Sequence, residues 1–155
     1  MAVFKINELT NMKKLFIRLL SVYSSWKLFN WGMFCFRVLV SIELIVVHGL
    51  KKIGVGVQKA EHIPNPLHLP ETFYNGFAIA ANLFFPLLVL AGFCTRLATL
   101  PTLAVTLAGY FVIHGHGTLL ERDIPFMYSL AFMLIAVLGA GKYSIDNYLY
   151  KKLST

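Results

Sequence analysis

Residues 31–52 form a long apolar stretch in which the few polar side chains are regularly spaced. About 20 residues at a rise of ~1.5 Å cross a hydrocarbon core of roughly 30 Å, so the stretch predicts a transmembrane helix. At about 100° per residue, four polar positions fall within about 60° of one another: Arg37, Ser41, His48 and Lys52. One side of this helix, the first polar stripe, is therefore predicted to be polar along its length.

Three further apolar stretches predict three more spans, at about 73–93, 97–114 and 124–138. Pro86 is expected to interrupt the second span, because proline has no N–H and frees a backbone carbonyl. Asp123, two residues before Pro125, predicts the start of the fourth span. The third span carries a polar residue every four positions, a second polar stripe formed by Thr102, Thr106, Tyr110 and His114.

The predicted spans divide the chain into a membrane domain at 31–142 and two flanking segments. Residues 1–30 interleave apolar and basic side chains at helical spacing, which predicts an amphipathic helix lying on the membrane surface. Residues 143–155 are predicted to form a cytoplasmic tail. The loop at 53–72 is rich in proline and is expected to be ordered but irregular, either as a lid over a site or as a simple connection.

The composition is that of an integral membrane protein: 57% of residues are hydrophobic, 14% are charged, and the mean hydropathy is +0.68. The net charge of +7 is better explained by orientation in a bilayer than by binding of nucleic acid. With four spans, ten of the 14 Lys and Arg residues share the side of both termini, which predicts cytoplasmic termini in a bacterial inner membrane. The predicted fold class is therefore all-α, a transmembrane four-helix bundle with an N-terminal amphipathic interfacial helix.

All five histidines are predicted to lie on or near the outer face of this bundle. The ends of the first and third spans meet there in an up-and-down arrangement, so His48 and His114 can approach one another near Lys52. Such a cluster can bind a quinone head group and relay its protons. The alternative is that these are ordinary polar residues at helix ends. A metal site is not expected, because His-x-His matches no common zinc spacing.

Glu43 lies away from the first polar stripe and close to the middle of its span, where an isolated charge costs at least ~2.5 kcal/mol. It is expected to be protonated, paired, or directed into a polar cavity. One interpretation is a polar centre formed with Asn82 and Tyr110. The other is that the carboxyl group is protonated and bonded to a neighbouring carbonyl. An ionisable residue inside a bundle is a functional candidate in either case.

Three short motifs occur in order along the chain. Arg37 is followed eleven positions later by His48-Gly49 and then by Lys52. Residues 92–98 fit the pattern G-x-x-T-R-x-A, and residues 139–146 fit the pattern G-x-G-R/K-Y-S-x-D. Taken together, in this order and spacing, the three motifs resemble the signatures of the DoxX family.

The resemblance implies a four-helix membrane protein of a group that includes DoxD, the membrane subunit of a thiosulfate–quinone oxidoreductase. Other members are tied to quinone detoxification and to membrane oxidoreductase assemblies. The chain departs from the family at Asn82, where a glutamate is frequent, at Ser41, where glycine is usual, and at Glu43, where an apolar residue is expected. If the glutamate carries proton chemistry in relatives, Glu43 is the candidate to replace it.

The leading hypothesis is a redox-associated membrane subunit that binds a quinone or a similar small molecule in the outer half of the bundle, and whether it is an enzyme stays open. The catalytic candidates are Glu43, His48 and His114. The ligand-binding candidates are Arg37, Lys52, Asn82, Tyr110 and Arg96. No motif for a covalently bound cofactor occurs in the sequence.

The alternatives are a non-catalytic scaffold that recruits partner oxidoreductase subunits, and a transporter of small molecules or protons. Small residues in the fourth span also permit packing against a second copy.

Overall fold

The computed structural model describes residues 26–65 and 68–154, and every regular element in these ranges is a helix. In chain order the helices are α1 (Trp26–Lys52), α2 (Glu71–Asn82), α3 (Phe84–Ala91), α4 (Thr95–Ile113), α5 (Leu119–Leu138) and α6 (Ile145–Leu153). The all-α prediction is confirmed for the described residues. The amphipathic helix predicted at 1–30 lies outside them, except for 26–30, which begin α1.

Three helical segments of the described chain are long and apolar enough to cross a membrane: α1, α2 together with α3, and α4. They correspond to the first three predicted spans. Helix α5 has 20 residues, the length of a fourth span, but Glu121, Arg122 and Asp123 place three charges near its start. It is not among these three segments, and the four-span arrangement remains a prediction.

Helix α5 begins at Leu119, earlier than the start that was predicted near Asp123, so that prediction was wrong. The reason is a capping box in which Thr118 and Glu121 bond each other's backbone N–H groups. The Glu121 carboxylate accepts the Thr118 N–H at 3.1 Å. This pair satisfies two of the N–H groups that the first turn leaves without helical partners.

The second predicted span is interrupted at Leu83, which separates α2 from α3 and has φ −121° and ψ −66°. Pro86 causes the interruption, because it cannot donate the N–H that would bond to the carbonyl of Asn82. On the neighbouring helix α4, the Thr102 hydroxyl donates to the Ala81 carbonyl at 2.8 Å. The predicted break is confirmed. Thr102, a residue of the second polar stripe, bonds the carbonyl next to the one that Pro86 leaves without a donor.

The first two residues of each polar stripe face the inside of the molecule. Arg37 is 1% exposed and Ser41 is fully buried, while Thr102 and Thr106 are buried on α4. The hydroxyl of Ser129, on α5, lies within hydrogen-bond distance of the Thr106 hydroxyl, at 2.9 Å. The threonines of the second stripe therefore hold helices together by hydrogen bonds between and within them.

The apolar core lies between α1, α3, α4 and α5. Its buried members are Leu44, Val89, Ala98, Phe132 and Ile135. Large apolar side chains also remain exposed along the outside of the same helices, as at Leu39, Leu87, Leu100, Leu130 and Val137. An apolar outer surface over an apolar core is typical of helices that are solvated by lipid.

The buried guanidinium of Arg37 joins three parts of the chain at one end of the helices. Its Nη1 donates to the carbonyls of Val89 and Leu90, the latter at 2.6 Å, and its Nη2 donates to the carbonyl of Tyr143 at 2.9 Å. Val89 and Leu90 belong to the last turn of α3, where carbonyls lack their regular helical donors, and the Val89 carbonyl also accepts the Gly92 N–H at 3.0 Å. A positive charge there also opposes the negative end of the helix dipole.

Asp146 makes the complementary connection at the start of α4. Its carboxylate accepts the backbone N–H groups of Cys94 and Thr95 at 2.7 and 2.9 Å, and its own N–H donates to the carbonyl of Gly92 at 2.8 Å. The predicted tail at 143–155 thus contains helix α6, which is tied to the turn between α3 and α4.

Gly92 is required at this turn for two reasons. Its φ is +72°, and a Cβ built on it would lie 2.6 Å from the Cβ of Ser144 and 2.8 Å from Nη1 of Arg37. The arginine, the G-x-x-T-R-x-A turn and the G-x-G-R/K-Y-S-x-D segment therefore meet in one cluster, which we call the arginine cluster.

We predict that Arg37→Met lowers the free energy of unfolding by about 3 kcal/mol, because each buried acceptor left unpaired costs ~1–3 kcal/mol. Arg37→Lys is expected to be more stable than Arg37→Met but less stable than the parent protein, since an ammonium lacks the planar fork of a guanidinium. Denaturation of the purified protein in detergent micelles measures the effect. The matched control is Arg96→Met, because Arg96 is exposed and its single described bond, to the Val137 carbonyl, is long at 3.4 Å. Equal losses in the two methionine variants would contradict this account of Arg37.

Candidate functional site

A cavity of about 420 Å³ lies at the other end of the helices, between the end of α1, the break after α2, the end of α4 and the start of α5. We call it the polar cavity. Four of the residues selected from the sequence line it, namely His48, Lys52, Asn82 and His114. The two histidines thus line the same space, as the up-and-down arrangement predicted. Acidic side chains lie beside them, because Glu61 and Glu121 also line the polar cavity.

Both histidines lie at irregular turns of their helices. His48 lies within a π-helical turn at Leu44–Gly49, and His114 directly follows another at Gly109–Ile113. A π-turn adds a residue to the helical turn and is frequent at functional sites, because it changes where the following side chains point.

Gly49 permits the close approach of α1 to the break after α2. A Cβ on this residue would lie 2.5 Å from the carbonyl oxygen of Asn82 and 2.8 Å from the side chain of Leu83. The Asn82 carbonyl is the one that Pro86 leaves without its helical donor. The proline break and the glycine therefore act together to shape the wall of the polar cavity.

The loop after α1 folds back over the end of that helix. Glu61 donates its N–H to the Lys51 carbonyl at 3.0 Å, and its carboxylate lies 3.7 Å from the Lys52 ammonium. Glu61, His62 and Pro64 line the polar cavity. The loop thus has the position of a lid, although its role as one stays a prediction.

A second space, of about 640 Å³, adjoins the polar cavity between α1 and α5. We call it the apolar groove, because most of its lining is aliphatic or aromatic, as at Phe36, Leu39, Val40, Val47, Met127 and Ala131. Its ionisable residues are Glu43, His48 and Asp123. His48 and Tyr128 line both spaces, and their rings meet edge to face with centroids 5.3 Å apart. These two rings form a shared wall between a polar site and an apolar one.

Glu43, Asn82 and Tyr110 lie in three different surroundings. Glu43 is exposed on the apolar groove, whereas Asn82 is buried and donates to the Ala78 carbonyl at 2.7 Å. Tyr110 lies under the guanidinium of Arg122, with 4.6 Å between the ring centroid and Cζ. The interpretation that joins these three side chains in one polar centre receives no support from these contacts.

Residues 32–115 match the model of the DoxX family. The inner membrane protein YqjF of Escherichia coli (strain K12) is 33% identical over 137 residues, which cover 81% of this chain and 98% of that protein. The chain belongs to the DoxX family. No solved structure matches it.

The arginines of the DoxX signatures lie at the end of the helices away from the polar cavity. The Nη groups of Arg37 are bonded to backbone carbonyls, and Arg96 lies at the start of α4, whereas His114 follows its end. Of the five ligand-binding candidates, Lys52 and Asn82 lie with the histidines, and Arg37 and Arg96 lie apart from them. Tyr110, under the Arg122 guanidinium, is not among the residues that line the polar cavity.

Tyr128 is the main residue of the site that the sequence analysis missed. It lies in an apolar stretch and belongs to neither polar stripe. The available signal was its spacing from Glu121 and Pro125, seven and three residues earlier, which places the three on one face of a helix. Both of those residues also line the polar cavity.

We predict that Gly49→Ala destabilises the protein by about 1–3 kcal/mol, because the added methyl group meets backbone and forces α1 away from α2. The matched control on the same helix is Gly32→Ala, where a Cβ would meet nothing within 4 Å. That variant should be neutral or stabilising by up to ~1 kcal/mol, since alanine favours a helix over glycine. Thermal unfolding followed by circular dichroism compares them. Equal stability of both variants would contradict the close contact at Gly49.

Proposed function

We propose that this DoxX protein is a four-span inner-membrane protein with cytoplasmic termini that binds a quinone or a similar small redox-active compound at the polar cavity. The proposal rests on one observation. A polar cavity with three histidines and a lysine shares His48, Ile124 and Tyr128 with an apolar groove on the outside of the helices. This combination suits an amphipathic ligand with a polar ring and an apolar tail.

In this proposal the ring occupies the polar cavity, where His48 and Lys52 donate hydrogen bonds to its oxygens. His114 and Glu121, which also line the cavity, are placed to exchange protons with water as the ring changes its charge. The apolar tail lies along the groove between α1 and α5. Glu43, in the groove, is the candidate for a second proton carrier. The proposal does not use Arg37, because its Nη donors are already bonded.

The four-span part of the proposal depends on α5. This helix packs against α4 through Ser129 and Thr106, and its Phe132 and Ile135 belong to the core. Leu130, Met133, Leu134 and Val137 remain exposed on its outer side, as expected for a helix in contact with lipid. The three charges near its start lie at the same end as the polar cavity. They are therefore compatible with a position at the outer membrane–water interface.

Binding of decylubiquinone to the purified protein, measured by equilibrium dialysis, tests the ligand site. We predict that His48→Ala raises the Kd about two- to tenfold, because a hydrogen bond between neutral groups is worth a net ~0.5–1.5 kcal/mol. The control is His116→Ala, which removes an exposed histidine from the turn after α4 and should leave the Kd unchanged. Circular dichroism establishes that both variants are folded. Unaltered binding in a folded His48→Ala variant, or no saturable binding by the parent protein, would refute the proposed site.

Labelling with a membrane-impermeant maleimide tests the orientation. Cys35 and Cys94 are free and exposed, so the Cys35→Ala variant retains one reactive thiol at the turn before α4. We predict that Cys94 reacts only after spheroplasts are permeabilised. In a cysteine-free background, Ala60→Cys should react in intact spheroplasts, and Ser154→Cys should react only after permeabilisation. Reaction of Ser154→Cys from outside would show that α5 does not cross the membrane.

A non-catalytic scaffold is the second candidate, and the arginine cluster favours it. Arg37, the G-x-x-T-R-x-A turn and the G-x-G-R/K-Y-S-x-D segment make hydrogen bonds that hold helix ends together, at a distance from the polar cavity. A scaffold requires such a rigid framework and no ligand site. Co-purification of partner oxidoreductase subunits that is unaffected by His48→Ala, together with absent quinone binding, would favour this candidate over the first.

A further inference from the structure

A third cavity, of about 590 Å³, lies beside the arginine cluster, and nothing in the proposed function uses it. We call it the basic cavity. It is an open depression in the surface, bordered by the start of α1, the turn before α4, the end of α5 and the start of α6. The residues that matter for its chemistry are Trp26, Thr95, Arg96, Lys142, Asp146 and Tyr150.

The charge of this cavity is positive. Arg96 and Lys142 line it, and the one carboxylate among its described lining residues is that of Asp146. That carboxylate already accepts the N–H groups of Cys94 and Thr95 at 2.7 and 2.9 Å. The two cationic side chains therefore line a space whose acidic residue is engaged with backbone, which favours an anion as the occupant.

A buried hydroxyl group adds a further polar position to this cavity. Thr95 is 1% exposed and lines the cavity, and its Oγ1 has no hydrogen-bond partner among the described residues. Buried hydroxyl groups in folded proteins are nearly always paired, so this one is a polar position that the described residues leave unsatisfied. Its oxygen is closed off from solvent, so the side chains that can contact an anion in the cavity are those of Arg96 and Lys142.

The position of the cavity indicates which kind of anion reaches it. The ends of three helices surround it, since α3 ends at Ala91, α4 begins at Thr95 and α5 ends at Leu138. Helix ends of a membrane protein lie at the level of the lipid head groups. Trp26 and Tyr150, exposed beside the cavity, are the residue types that collect at this level.

We propose that the basic cavity binds the phosphate of an anionic phospholipid. Arg96 and Lys142 contact the phosphate oxygens. The acyl chains continue along the exposed apolar surface of the neighbouring helices. This site is separated from the polar cavity by the length of α4, so it can exist whether or not a quinone binds at the other end.

The chain contains two tryptophans, so Trp31→Phe leaves Trp26, at the cavity, as the single fluorescent indole. Brominated phosphatidylglycerol and brominated phosphatidylcholine are titrated separately into the purified full-length protein in detergent micelles. Bromine quenches tryptophan fluorescence on contact. The measured quantity is the ratio of the two apparent affinities, which removes the contribution of non-selective lipid contact.

We predict a clear preference for phosphatidylglycerol that falls about fivefold for each cation removed, and about 25-fold in Arg96→Gln/Lys142→Gln. The matched control, Lys51→Gln/Lys59→Gln, removes the same charge at the opposite end and should keep the preference. Lys142→Gln alone provides the measurement if the double variant loses its fold, since Arg96 also contacts α5.

Two results would overturn the proposal. The first is an equal preference for phosphatidylglycerol in the parent protein, the double variant and the control, or no preference in any of them. The second is full displacement of phosphatidylglycerol by an equal concentration of inorganic phosphate. That displacement would assign the cavity to a soluble phosphate instead of a lipid.

Discussion

The fold depends on how Arg37 is accommodated inside it. A guanidinium is always charged in a protein, and a charge without partners is costly in a dry interior. Here the partners are backbone carbonyls of Val89, Leu90 and Tyr143, so backbone satisfies both Nη groups, while Nε has no partner among the described residues. The Val89 carbonyl also accepts the Gly92 N–H, at 3.0 Å. One side chain thereby fixes α1 against the end of α3 and against the segment that leads into α6. The same geometry explains why Gly92 must have no side chain, because its Cβ would occupy the space of the guanidinium.

The two ends of the molecule differ in how their backbones are arranged. At the arginine cluster, the ends of α3 and α4 are bonded to Arg37 and Asp146. At the polar cavity, α1 and α4 pass through π-turns, and α2 is broken at Leu83. Regular helices pack without gaps, whereas such turns and breaks leave space and free backbone groups between them. The end with the arginine cluster is therefore held by side-chain bonds to backbone, whereas the end with the polar cavity is irregular.

The local irregularities also depend on one another. Pro86 removes the donor for the Asn82 carbonyl, Gly49 allows α1 to approach that carbonyl, and Thr102 bonds the carbonyl of Ala81. The role of each of these three residues is understood only together with the roles of the other two. A sequence pattern shows the proline and the glycine separately, but it does not show that they face one another.

The sequence by itself determined the helical class, the bounds of the first three apolar segments to within about five residues, and the shared buried face of Arg37 and Ser41. These follow from the fixed rise and angle per residue of a helix, which are local properties. It also placed His48 and His114 at one end of the molecule, because an up-and-down arrangement makes the first and third helices parallel and brings their ends to the same side. Only the tertiary structure decided which groups Arg37 bonds, since its partners are 52, 53 and 106 residues away. The tertiary structure also decided the exposure of Glu43, which lies on a groove although its position in a span suggested the interior. Its side of α1 is covered or open according to where α5 packs, and no local pattern in either helix contains that information.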